Sequence, residues 1–219
     1  MENWIKYEGI EVTENEIVER SRLYYELMDK RRSVREFSDK PVPMAVIENI
    51  IKTASSAPSG AHKQPWIFCV VSSRKIKQQI REAAEKEEFT NYNGRMSEEW
   101  LEDLKVFGTD WHKPFLETAP YLSIVFKKAY DFDENGEKSK NYYVNESVGI
   151  ACGFLISAIH HAGLITLTHT PSPMNFLEKI LERPKNERAF LLLPVGYPVE
   201  NAEVPNLKRK GLEEVMTVY

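Results

Sequence analysis

The chain has little of what several protein classes require. It carries two cysteines, Cys69 and Cys152, each among apolar or small neighbours. That is too few for a disulfide framework, and they lack the paired spacing of a zinc site. Free buried thiols in a reducing cytoplasm are expected. Neither sign of charge dominates: 29 Lys and Arg stand against 33 Asp and Glu, so the net charge is only −4. No general attraction to nucleic acid or to an anionic membrane follows from that balance. No apolar run approaches the roughly 20 residues of a membrane span, and residues 1–6 lack the layout of a secretion signal. Also missing are Gly-x-Gly-x-x-Gly, the P-loop, the Gly-x-Ser-x-Gly elbow, His-Glu-x-x-His and Cys-x-x-Cys. Dinucleotide-binding, nucleotide-hydrolysing, α/β-hydrolase and metal-dependent classes are therefore unsupported. With 219 residues and no internal repeat, the chain suits one domain, residues 1–219.

What is present centres on residues 31–66. At one end Arg31, Arg32, Ser33, Val34 and Arg35 put three guanidinium groups and a hydroxyl into five residues. Guanidinium forks match phosphate oxygens bidentately. At the other end Ala57-Pro58-Ser59-Gly60-Ala61-His62-Lys63-Gln64-Pro65-Trp66 packs small residues before an apolar stretch. Small residues let backbone N–H groups approach a flat ligand. Each segment alone also reads as solvated surface or a plain turn. Together, tied by a helix, they point to a phosphorylated planar cofactor.

Strands and helices alternate, so a layered α/β or α+β domain is expected. Thr13-Glu14-Asn15-Glu16 is a capping box opening a helix whose inner face would be Ile17, Val18, Ser21, Tyr24, Tyr25 and Met28. Val46, Ile47, Ile50, Ile51 and Ala54 give a second helix ending before Pro58. Strands are predicted over 66–71 (buried on both faces), 120–126, 164–168 and 189–195, with a loop over 131–136. Residues 143–162 read as a long helix rich in small residues, suited to close packing or a subunit interface. Residues 175–181 read as a short helix, and 215–219 have strand character.

Residues 85–113 are charged yet carry Phe89, Tyr92, Trp100, Leu101, Leu104, Phe107 and Trp111. This composition suits a mobile cover, and equally an exposed helical excursion. Glu88 and Tyr92 are four apart and would share a helix face. With Lys113 they offer a carboxylate, a phenol and an ammonium, which match an amino-acid zwitterion. Three surface side chains are the alternative. Thr170, in a Thr-x-Thr-Pro turn at a strand end, is either a turn cap or a hydroxyl set beside a cofactor.

The arginine cluster and the Pro-Ser-Gly-Ala loop with Gln64-Pro65-Trp66 resemble the signature of the nitroreductase superfamily of FMN enzymes. Residues 88–96 with Trp100, Asp103, Leu104 and Lys113, together with 147–153, 168–171, 193–198 and 207–210, are similar to its iodotyrosine deiodinase branch. The resemblance implies a nitroreductase-like α+β fold with a central mixed sheet flanked by helices, in an intertwined homodimer whose two sites use both chains. It implies FMN held by Arg31, Arg32, Ser33, Val34, Arg35, Ser59, Thr168, His169, Thr170 and Arg209, with the Thr170 hydroxyl near flavin N5 favouring single-electron steps. It implies a halotyrosine clamped by Glu88, Tyr92 and Lys113, its phenolate on the Ala61 N–H. The lid would span about 85–113, and an extension over about 199–219 would reach the partner subunit. The implied reaction is reductive dehalogenation of 3-iodotyrosine to tyrosine and iodide, fed by NAD(P)H directly or through a reductase. His169 departs from the threonine-rich run of animal members. The alternatives are a general NAD(P)H-dependent nitroreductase or quinone reductase on the same fold, and a flavin- or amino-acid-binding protein without catalysis.

Overall fold

The computed structural model describes residues 4–219. The chain divides into two compact units, one ending at Arg31 and the other running from Arg32 to Tyr219.

The first unit is built on α1 (Glu14–Asp29). Its capping box forms as the sequence implies: the Thr13 hydroxyl accepts from the Glu16 N–H, and the Glu16 carboxylate accepts from the Thr13 N–H at 2.7 Å. The expected inner face is not buried. Ile17, Val18, Tyr24 and Tyr25 are all more than half exposed. Its capping box specifies the helix locally, and none of its residues is buried.

In the second unit, α2 (Met44–Ser55) buries Ile47, Ile50 and Ala54 at helical spacing. A tight turn over Gly60–His62 leads into β1 (Trp66–Val71). Then come α3 (Arg74–Thr90), a wide turn over Asn91–Arg95, α4 (Glu98–Lys105) and α5 (Phe115–Thr118). β2 (Tyr121–Lys128) is followed by a hairpin of β3 (Tyr130–Phe132) and β4 (Lys138–Lys140). After α6 (Val144–His161) come β5 (Ile165–Thr166), α7 (Asn175–Ile180), β6 (Glu187–Gly196) and α8 (Leu212–Val215).

The main sheet has strand order β1-β2-β6-β5, and its strands pair antiparallel. A parallel bridge from Ser33 to Thr166 makes the sheet mixed. Alternation along the strands sends side chains to two cores. Val125, Leu191, Leu193 and Val195 meet α2 and α6 on one face. Leu122, Ile124, Phe126 and Leu192 meet α3, α5 and α7 on the other. The result is a sheet between two helical layers.

Four expectations change. The 66–71 strand is half-buried through its middle rather than buried on both faces, because β1 is an edge strand. The 164–168 strand shrinks to Ile165–Thr166. The chain then leaves the ladder and regains it at one bridge, His169 to Leu192. The 131–136 loop shortens, because Asp131 and Phe132 belong to β3, and the turn between the hairpin strands runs over 133–137. The 215–219 tail forms no strand: Val215 ends α8, whose turn is capped by the Glu214 carboxylate accepting from the Gly211 N–H at 2.7 Å, and 216–219 join no sheet. On α6, Val148, Ala151, Cys152, Leu155 and Ile159 face the core. Gly149 and Gly153 face open space, beside exposed Ile150 and Phe154.

Candidate active site

The polar residues singled out from sequence converge at the end of α3. Continuous helix through Thr90 puts Glu88 on the buried face of α3, and the wide turn that follows brings Tyr92 beside it. Lys113 arrives just before α5. Its ammonium lies 3.5 Å from Glu88 Oε2 and 5.6 Å from the centre of the Tyr92 ring. It also donates to Thr109 Oγ1 at 3.2 Å and to the Asp110 carbonyl. The Tyr92 hydroxyl donates to the Thr109 carbonyl at 3.3 Å.

These groups line a cavity of about 250 Å³ together with Arg35, Thr168, His169 and Thr170, and Met96, Trp100, Leu104 and Phe115 add apolar lining. Burial dominates the electrostatics. It pushes the Glu88 carboxyl above its usual range, against the pull of Lys113. It pushes Lys113 below its usual range, against the pull of Glu88. Each partner only partly offsets the other's loss of water. An incoming ammonium near Glu88 and carboxylate near Lys113 would complete both. Burial, then Glu88, raises the Tyr92 phenol, so it is a neutral donor.

His169 forms the floor. Its backbone exchanges hydrogen bonds with Leu192, and its ring meets Phe115 edge-on at 5.6 Å. Burial, then Lys113 and Arg35, lower its pKa to about 3, so it is neutral. Its Nε2 is buried without a hydrogen bond, a polar atom the fold itself does not satisfy.

Ser33 and Thr166 form the parallel bridge, and the Val34 N–H reaches the Thr166 carbonyl at 3.4 Å. The segment from Arg32 to Arg35 thus lies along the chain that continues to Thr168 and Thr170. Val34 turns its side chain into the core. Arg35 is half-buried, 5.7 Å from the centre of the Phe107 ring, and lines the cavity. Arg31 closes the other unit, its N–H on the Met28 carbonyl at 3.1 Å. Arg209 is exposed on the tail.

The 57–66 loop does not line this cavity. It is a strained turn: Ala61, His62 and Gln64 all take positive φ, at 49°, 55° and 47°. The Ser59 hydroxyl accepts from the Gln64 N–H at 2.9 Å, and the Gly60 N–H donates to Ser147 Oγ at 3.2 Å. A Cβ on Gly60 would lie 2.9 Å from the Tyr143 ring, which is why glycine stands there.

Sequence reasoning missed Thr109, Asp110, Phe115 and Glu85. Thr109 and Asp110 stand four and three residues before Lys113, which was the available signal. Glu85 stands three before Glu88 on the same helix face. Among the described residues no group of His, Cys, Asp and Glu could hold a metal ion, and no helix is long and apolar enough to cross a membrane.

The sequence profile of the Nitroreductase family matches residues 28–197. An iodotyrosine deiodinase from Haliscomenobacter hydrossis is 66% identical over 99% of this chain and 97% of its own. Iodotyrosine deiodinase 1 from Homo sapiens is 50% identical over 93% of this chain and 71% of its own. Among solved structures, an oxidized iodotyrosine deiodinase bound to FMN and 3-iodo-L-tyrosine aligns with a TM-score of 0.75. It is 34% identical, covering 86% of this chain and 96% of that one.

Proposed function

Because the chain belongs to the nitroreductase family, and within it to the iodotyrosine deiodinases, we propose that it removes halogen reductively from halotyrosines with FMN as cofactor. The observation that carries this reading is that Glu88, Tyr92 and Lys113 line one cavity together with Thr168, His169 and Thr170. A nitroreductase acting on aromatic rings in general has no need of a buried carboxylate–ammonium pair there.

The donor set fits FMN. Arg32, Ser33 and Arg35 supply cations and a hydroxyl beside the bridge to Thr166. Thr168 and Thr170 present exposed hydroxyls, and His169 Nε2 is a buried polar atom in want of a partner. Ser59 and Arg209 complete the proposed cofactor set. FMN held there would supply two electrons, which with one proton would convert a carbon–halogen bond to carbon–hydrogen and free halide.

The chain's own residues bind and orient. Glu88 takes the substrate ammonium, Lys113 the carboxylate, and Tyr92 donates beside them. The Ala61 N–H, exposed on its strained turn, holds the phenolate. Thr170 holds its hydroxyl at the cofactor's reactive edge. Residues 85–113 form the lid, whose walls Met96, Trp100 and Leu104 keep water from the ring.

Ala61 and Ser59 lie outside the cavity of their own chain, so we assign them to the site of a second copy in a homodimer. The open glycine face of α6 and the 199–219 extension, with exposed Leu212, Val215 and Met216, are its contact surfaces. Sedimentation should give twice the chain mass. NAD(P)H, directly or through a reductase, is the electron source, and the free thiols fit a cytoplasmic protein. The test is anaerobic reduction of the FMN-loaded protein followed by 3-iodotyrosine. Stoichiometric iodide and tyrosine are expected. Fast nitroaromatic reduction with no iodide would favour the general nitroreductase.

A further inference from the structure

The polar residues along α3 form a rail. Lys77, Arg81, Glu85 and Glu88 recur every three or four positions, so they share one face of the helix. All four grip the same short segment, residues 113–119. Lys77 Nζ is buried and donates to the Glu117 carbonyl at 2.8 Å and the Ala119 carbonyl at 2.7 Å. Arg81 Nη1 lies 3.5 Å from Glu117 Oε1. Glu85 Oε1 accepts from the Lys113 backbone N–H at 2.7 Å and from Arg81 Nε at 2.8 Å. Glu88 takes the Lys113 ammonium. Lys113 is therefore held at both ends, backbone and side-chain tip, by two carboxylates one turn apart.

We propose that Glu85 is the positioning residue for Lys113: it fixes the lysine's backbone from α3, independently of the 91–112 excursion, and so presets the cationic half of the substrate clamp. Glu85 touches neither proposed ligand. It acts through Lys113, and the Arg81 guanidinium, 2.8 Å from the same carboxylate oxygen, aims it. The chain between the two carboxylates and the lysine bends away through α4 and returns. Without the hydrogen bond to its N–H, α3 would hold Lys113 itself only at the side-chain tip, through Glu88. The prediction on affinity rests on the deiodinase reading above. The prediction on the backbone bond does not.

Two measurements on FMN-loaded protein separate them. Amide hydrogen exchange in the peptide holding Lys113, without substrate, is expected to be slow in the parent and in Glu85→Gln, whose amide oxygen still accepts. It is expected to be fast in Glu85→Ala. Equal exchange in all three overturns the proposal. Next, 3-iodotyrosine is titrated into Glu85→Ala, Glu85→Gln, Lys113→Ala and the Glu85→Ala/Lys113→Ala double variant. Glu85→Ala should weaken binding roughly 10-fold, the cost of one lost charge-assisted hydrogen bond. KM should rise alike while kcat stays within about twofold, and Glu85→Gln should recover most of the loss. In the Lys113→Ala background Glu85→Ala should cost nothing further, because the residue it positions is gone. Additive losses, or a fall in kcat with KM unchanged, overturn the proposal. Should Glu85→Ala fail to fold, the Glu85→Gln exchange rate and affinity decide, both being required to stay near the parent's. A parent protein that ignores 3-iodotyrosine but shows the exchange pattern sinks the deiodinase reading and leaves the clasp standing.

Discussion

Lys113 is 4% exposed and held by side chains at both ends, whereas Ala61 is exposed and held by the twist of its own backbone. Both are assigned to one substrate, one to its carboxylate and the other to its phenolate. Around Lys113 the readiness is electrostatic: charges sit out of water, each short of full compensation, until a ligand of opposite charge pattern arrives. Around Ala61 it is conformational: Ala61, His62 and Gln64 are all held in the left-handed region, where non-glycine backbone is strained. The difference teaches that recognition of a zwitterion calls for a desolvated pair. Recognition of a phenolate calls only for a fixed donor.

Of the substitutions that probe the two regions, those on the buried side should have the largest effect. His169 has a folded pKa of about 3 against an ordinary value near 6.5. The unfolded chain therefore binds the proton more readily, so stability is complete above pH 6.5 and is lost as pH falls toward 3. The shift corresponds to ~5 kcal/mol. His169→Leu should flatten that part of the stability–pH curve in urea titrations, and an unchanged slope would contradict the buried neutral assignment. Next in size, Lys113→Ala leaves Glu88 buried without its cation. Removing one partner of a buried pair costs ~3 kcal/mol, so 3-iodotyrosine affinity should drop about 100-fold with FMN retained. Isothermal titration of the holoprotein measures both.

On the loop side the effects are smaller. Gly60→Val drives a side chain into Tyr143 and the Tyr142 carbonyl. It should lower stability by ~2 kcal/mol, read as a shift in the denaturation midpoint. Ala61→Gly relieves the positive φ but frees the unfolded chain, so the net gain should be only ~0.5 kcal/mol. Were the two regions alike, these changes would rival the loss at Lys113.

Much of this organisation was legible in the sequence because its signals are local. Thr13 and Glu16 form their box, Ser73 caps α3, and the 46–54 stripe buries where its spacing says. Glu88 and Tyr92 both face Lys113, close to the four-residue spacing of a helical turn, although Tyr92 lies in the wide turn after α3. What was not legible depends on distant parts of the chain. Nothing in residues 66–71 states that β1 is an edge strand. Lys138-Ser139-Lys140 lacks strand formers and pairs only because Gly136, at φ 79°, folds it back. The apolar stripe of α1 looks internal, but its exposure depends on what else the unit offers. In the site, the clamp trio could be named, but not Glu85, whose contact is with a backbone N–H 28 residues away. A backbone donor leaves no trace in residue type.

The most direct test is to compare two ligands on the FMN-loaded protein: 3-iodotyrosine and 2-iodo-4-methylphenol, which has the same ring without the amino-acid group. The account predicts that 3-iodotyrosine binds at least about 100-fold tighter, with iodide released on reduction, and that the advantage disappears in Lys113→Ala. Equal affinity and equal iodide release from both ligands would contradict the assignment of Glu88, Tyr92 and Lys113 as a zwitterion clamp.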